Sequence, residues 1–125
     1  MAELISAPTR IPVPGGKVID EYVGRVTTGT EAVSVAHMIA PGGWSEPAQQ
    51  PEFDEVTVVL RGLVQVEVTD GDGSTRTVDV PAGQAVVTKA GERVRYSTGD
   101  EETEYVAVCL PAFSPDIVNR DPEPA

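Results

Sequence analysis

Between Lys17 and Leu110 the apolar residues fall in short runs, each closed by a turn signal. A strand-and-turn rhythm of about eight to twelve residues marks an all-β sandwich or barrel. The runs are Val18–Val26, Ala32–Ala40, Glu55–Arg61, Leu63–Thr69, Thr75–Val80, Ala85–Lys89, Arg93–Ser97 and Tyr105–Leu110. Between them lie Thr27-Thr28-Gly29-Thr30, Pro41-Gly42-Gly43, Asp70-Gly71-Asp72-Gly73-Ser74, Pro81-Ala82-Gly83, Ala90-Gly91-Glu92 and Thr98-Gly99-Asp100. Glycine tolerates the positive φ of such turns, and Asp or Ser bonds its own backbone. Leu63–Thr69 shows the clearest alternation, with Val64, Val66 and Val68 on one face and Gln65 and Glu67 on the other. That is the period of a half-buried antiparallel strand. No window carries the three-and-four spacing of an amphipathic helix.

The ends differ from this middle. Residues 1–16 hold Pro8, Pro12, Pro14, Gly15 and Gly16 and are expected to form an arm with at most one short strand. Residues 115–125 are rich in proline and acid and are expected to be a tail without a helix. The division is therefore an arm at 1–16, a barrel domain at 17–114 and a tail at 115–125.

At 125 residues the chain suits one domain, and 40% hydrophobic residues with only 5% aromatic imply a core of Val, Ala, Leu and Ile. A net charge of −11 speaks against a phosphate-backbone partner and against an anionic membrane surface. Cys109 is the single cysteine, so no internal disulfide can form, and its apolar run makes it a buried small hydrophobe. The N-terminus lacks the basic start and apolar core of a signal peptide, and no stretch reaches the length of a membrane span. A cytoplasmic protein is expected.

Eight or more short antiparallel strands fit a jelly roll, a small up-and-down barrel or an immunoglobulin-like sandwich, though the last lacks its Cys–Trp–Cys core. Two motifs favour the jelly roll. Pro41-Gly42-Gly43 followed by Glu55-Val56-Thr57-Val58-Val59-Leu60-Arg61-Gly62 resembles the first signature motif of the cupin family. Pro81-Ala82-Gly83 through Ala90-Gly91-Glu92-Arg93-Val94 resembles the second, and Tyr105–Pro115 looks like the closing strand and exit of small single-domain cupins. The resemblance covers residues 30–111. It implies a double-sheet antiparallel jelly-roll barrel, and it also implies a homodimer.

In metal-binding cupins two histidines and a glutamate of the first motif meet a third histidine of the second. The glutamate position here is Glu55. The histidine positions carry Gln49 and Pro51, or Ala48 and Gln50, in the first motif and Val94 in the second. The nitrogen ligands of the pattern are absent, so no metal ligand is assigned and no cofactor is expected, beyond a weakly held divalent cation on oxygen donors.

His37 is the only histidine. It shares one strand face with Val33, Val35 and Ile39, while Ser34, Ala36, Met38 and Ala40 share the other. Both faces are largely apolar, so the pattern leaves open which one looks inward. His37 is either a hydrogen-bonded structural residue or a general base. Strand parity carries Thr57 and Val59 inward with Glu55, and Tyr96 inward with Val94. The candidate site is therefore Glu55, Tyr96 and His37 for proton transfer, with Gln49, Gln50, Thr57, Val59, Val94 and Trp44 around a ligand. The expected function is binding of a small polar metabolite in the barrel, by a metal-independent isomerase, lyase or cyclase that uses Glu55. The alternatives are a non-catalytic ligand sensor and a divergent metal-dependent oxygenase. No nucleic-acid or membrane partner is expected.

Overall fold

In the computed structural model, which describes residues 2–122, the chain folds into nine β-strands, with no α-helix among those residues. They are β1 (Thr9–Ile11), β2 (Val18–Val23), β3 (Ser34–Ala40), β4 (Asp54–Arg61), β5 (Leu63–Thr69), β6 (Thr75–Pro81), β7 (Ala85–Thr88), β8 (Arg93–Thr98) and β9 (Thr103–Leu110). A six-stranded sheet runs β1-β2-β3-β9-β4-β7 and faces a three-stranded sheet ordered β6-β5-β8. All pairings are antiparallel. The all-β double-sheet jelly roll expected from the motifs is the observed architecture.

Alternation builds the core. On β5, Val64, Val66 and Val68 are buried; Val66 stands opposite Val78 of β6 and Tyr96 of β8. From the larger sheet, Tyr105 and Ala107 of β9, Val59 of β4 and Ala40 of β3 meet them. Each fully buried valine is worth about 1.5–3 kcal/mol as an upper bound. A second cluster, Phe53, Cys109 and Val118 with Phe113 and Ile117, packs the loop before β4 against the C-terminal tail.

Two local expectations change. The run Val18–Val26 ends as a strand at Val23, because Glu21 turns its carboxylate onto the Thr27 amide (2.8 Å) and folds the chain around Gly24. Gly62, which separates the consecutive runs Glu55–Arg61 and Leu63–Thr69, does not join them as a hairpin but turns a corner between sheets. β4 pairs with β9 and β7, whereas β5 pairs with β6 and β8. Its φ of 82° and the packing of Thr103 against it leave no room for a side chain, since a Cβ would lie 2.8 Å from the Glu102 carbonyl oxygen. Gly62→Ala should therefore cost at least about 2 kcal/mol, combining left-handed strain of roughly 1–2 kcal/mol with that clash. A urea midpoint unchanged from wild type would contradict this.

The loop between β3 and β4 also places the site. It runs beside β8 in an extended form, through bridges at Ser45–Ser97 and Gln49–Val94, and so covers that sheet edge. Gln49 exchanges backbone hydrogen bonds with Val94 at 2.8 and 2.9 Å and also bridges to Arg120.

Candidate functional site

A cavity of about 380 Å³ opens at one end of the barrel, between the inner face of the larger sheet, the β3–β4 loop and the N-terminal arm. Its apolar wall includes Ile11, Val13, Met38, Trp44, Tyr105 and Ala107. Its polar groups include Lys17, Glu46, Gln49, Glu55, Tyr96 and Arg120. Apolar walls with a few converging polar groups are the usual makeup of a binding site.

Glu55 enters from β4, paired with Cys109 of β9 and Thr88 of β7. Its carboxylate accepts hydrogen bonds from the Thr57 hydroxyl (3.3 Å) and the Cys109 thiol (3.8 Å). Burial pushes the Glu55 carboxyl up to about 7, and the Glu46 charge adds to this, while Lys17, Thr57 and Cys109 oppose it. Burial and the Glu55 charge also push the Cys109 thiol up, which leaves it an inert core group. Near pH 7 Glu55 can either give or take a proton.

Lys17 lies just before β2. Its ammonium sits over the Trp44 ring at 4.1 Å and beside the Tyr105 ring at 5.3 Å, and it has no hydrogen-bond or ion-pair partner among the described residues. Burial lowers the Lys17 pKa, against the pull of Glu46 and Glu55. At the rim, the Arg120 guanidinium donates twice to the Gln49 side-chain oxygen (3.0 and 2.8 Å) and pairs with Glu46 at 3.3 Å.

Of the residues expected from sequence, Glu55, Tyr96, Gln49 and Trp44 line the cavity. Tyr96 directs its hydroxyl to Thr88 (2.9 Å) rather than to Glu55. Thr57 is buried beneath Glu55, and Val59 and Val94 are packed in the core behind the wall. Gln50 is exposed and borders a separate shallow groove with Arg93 and Asn119. His37 stands on the far face of β3, bonded to Glu104 at 2.6 Å, because Ser34, Ala36 and Met38 turn toward the cavity.

The sequence pattern does not single out Lys17, Glu46, Tyr105 or Arg120, all of which line the cavity. The one available signal was that Lys17 and Lys89 are the only lysines. The donors do not fit the metal set implied by the cupin motifs. Glu55 has no imidazole beside it, and the Gln49 oxygen is taken by Arg120. Among the described residues no group of three or more His, Cys, Asp or Glu is placed to hold a metal ion.

No protein-family model matches the chain. Oxalate decarboxylase from Bacillus subtilis has the same fold. A tryptophan variant superposes with a TM-score of 0.79 at 19% identity, covering 93% of this chain and 31% of that one. The enzyme at pH 4.6 gives 0.76 at 19% identity, covering 90% and 30%. The chain thus has a cupin fold. In sequence it is 45% identical over 116 residues to a Myxococcus xanthus protein named Endoribonuclease YbeY, a match covering 91% of this chain and 38% of that protein.

That relative overturns the expected small-metabolite role, whether as isomerase, lyase, cyclase, sensor or oxygenase. It likewise overturns the exclusion of nucleic acid as a partner, which rested on net charge, and the expectation of no cofactor, which rested on the missing nitrogen ligands. Net charge weighs against contact along the phosphate backbone and says less about contact with unpaired bases. No helix among the described residues is long and apolar enough to cross a membrane.

Proposed function

We propose that this chain is a cupin-fold module of RNA processing, working in the context of an endoribonuclease. The reading is carried by the 45% identity to the M. xanthus protein, of which the chain spans 38%. The division into an arm at 1–16, a barrel at 17–114 and a tail at 115–125 is part of the proposal, and so is a cytoplasmic setting, where RNA is available.

With a net charge of −11, contact with RNA would be local rather than spread along the backbone. The cavity mouth supports such a contact. It offers the Trp44 ring as a stacking surface and Lys17 and Arg120 as cations, in a recess that an unpaired base could enter. Base–aromatic stacking contributes about 1–3 kcal/mol.

Trp44 is the only tryptophan, so its fluorescence reports on this site alone. A single-stranded RNA oligonucleotide is expected to change that signal saturably. With two cations at the mouth, the logarithmic salt slope should be no steeper than about −1.4, from roughly 0.7 per neutralised phosphate. A flat titration at low salt would overturn the reading.

A further inference from the structure

We propose that Lys17 is a nucleophilic amine that condenses with aldehydes entering the cavity, with the Glu55 carboxyl as proton donor. This goes beyond the RNA reading and does not depend on it. A partly buried ammonium in a protein is normally paired with a carboxylate. Lys17 instead lies against two aromatic faces on an apolar wall, without an ion-pair or hydrogen-bond partner among the described residues. A lysine desolvated in an apolar pocket is a recurring form of activated amine nucleophile.

The rest of the constellation suits the step. Glu46, Glu55 and Arg120 are the charged groups that act on Lys17, and Glu46 is engaged by Arg120. Glu55 is the remaining acid, and its carboxyl is partly protonated at neutral pH. The lone pair of neutral Nζ attacks the carbonyl carbon and forms a C–N bond, while the C=O π electrons move to oxygen, which takes a proton from Glu55. The nitrogen then loses one proton to Glu55, which passes it to the hydroxyl as that leaves as water. The resulting iminium gives its remaining N–H proton back to Glu55, leaving the imine. The balance is amine plus aldehyde giving imine plus water, and Glu55 ends as it began.

The chain supplies its own control. Lys89 is the only other lysine, and its side chain is 70% exposed near Asp54. The intact protein is treated at pH 7 with propanal and cyanoborohydride, which fixes any imine as an alkylamine, and peptides are mapped over time. Lys17 is expected to be labelled several-fold faster than Lys89, because its pocket favours the neutral, nucleophilic amine. Labelling of Lys17 no faster than Lys89 would overturn the proposal, and this comparison needs no variant.

Lys17→Met should abolish the fast adduct; its persistence elsewhere would equally overturn the assignment. In Glu55→Gln, loss of a nearby negative charge would by itself speed the amine. Slower labelling of Lys17 at an unchanged Lys89 rate therefore identifies proton donation, and a rate equal to or above wild type overturns the part given to Glu55.

Discussion

Glu55→Gln is expected to make this protein more stable at pH 8 and to flatten its stability between pH 4.5 and 7. The folded carboxyl titrates at about 7, against an ordinary value of 4.5. Below pH 4.5 both folded and unfolded chains hold the proton, and the group carries no penalty. As pH rises past 4.5 the unfolded chain releases its proton while the folded chain keeps it, so stability falls with pH. Above pH 7 both states are ionised and the penalty is complete, on the order of 3 kcal/mol. Glutamine removes the titration, while its amide oxygen can still accept from Thr57 and Cys109. Urea unfolding at pH 4.5, 6 and 8 measures the slope directly. A variant that loses stability with pH as steeply as wild type would show that another group is responsible.

Phe53→Ala should cost more than any surface change, about 3–5 kcal/mol. The Phe53 ring is 1% exposed and meets Phe113 edge-on, with centroids 5.9 Å apart. Together with Cys109 and Val118 it joins the β3–β4 loop, β9 and the tail. Truncation leaves a cavity that those three segments cannot close, because the backbones of β4 and β9 are fixed by their ladder. The loss should also loosen the loop that carries Trp44, Glu46 and Gln49. A drop below about 1 kcal/mol in urea unfolding would mean that the cluster is dispensable.

Strands were legible wherever one face is apolar and the other polar. Val64, Val66 and Val68 against Gln65 and Glu67 reveal both the strand and its buried side. Parity likewise placed Glu55, Thr57 and Val59 together on one face of β4. It was uninformative on β3, where valine and isoleucine on one face balance alanine and methionine on the other. The inward face was therefore decided by pairing with β2 and β9, and His37 fell outside.

Gly62 shows a similar boundary. A glycine between two apolar runs signals a sharp turn, but whether the runs pair with each other depends on partners far along the chain. Lys17 and Arg120 lie at opposite ends of the sequence, and no local pattern announces that they share a cavity. Function was the least legible part. An acidic composition argues against a protein that tracks the phosphate backbone, but it does not report on stacking with an unpaired base.

The cavity mouth is assembled from the two segments that flank the barrel. Ile11, Val13, Pro14, Gly15 and Lys17 approach from before β2, and Arg120 returns from beyond β9. A covalent neighbour attached at either side would thus hold a handle on the opening. Tension on the early segment would draw Lys17 off Trp44, and tension on the late one would strip Arg120 from Gln49 and Glu46. In a longer polypeptide, the attitude of the adjoining domain would set how open this cavity stands.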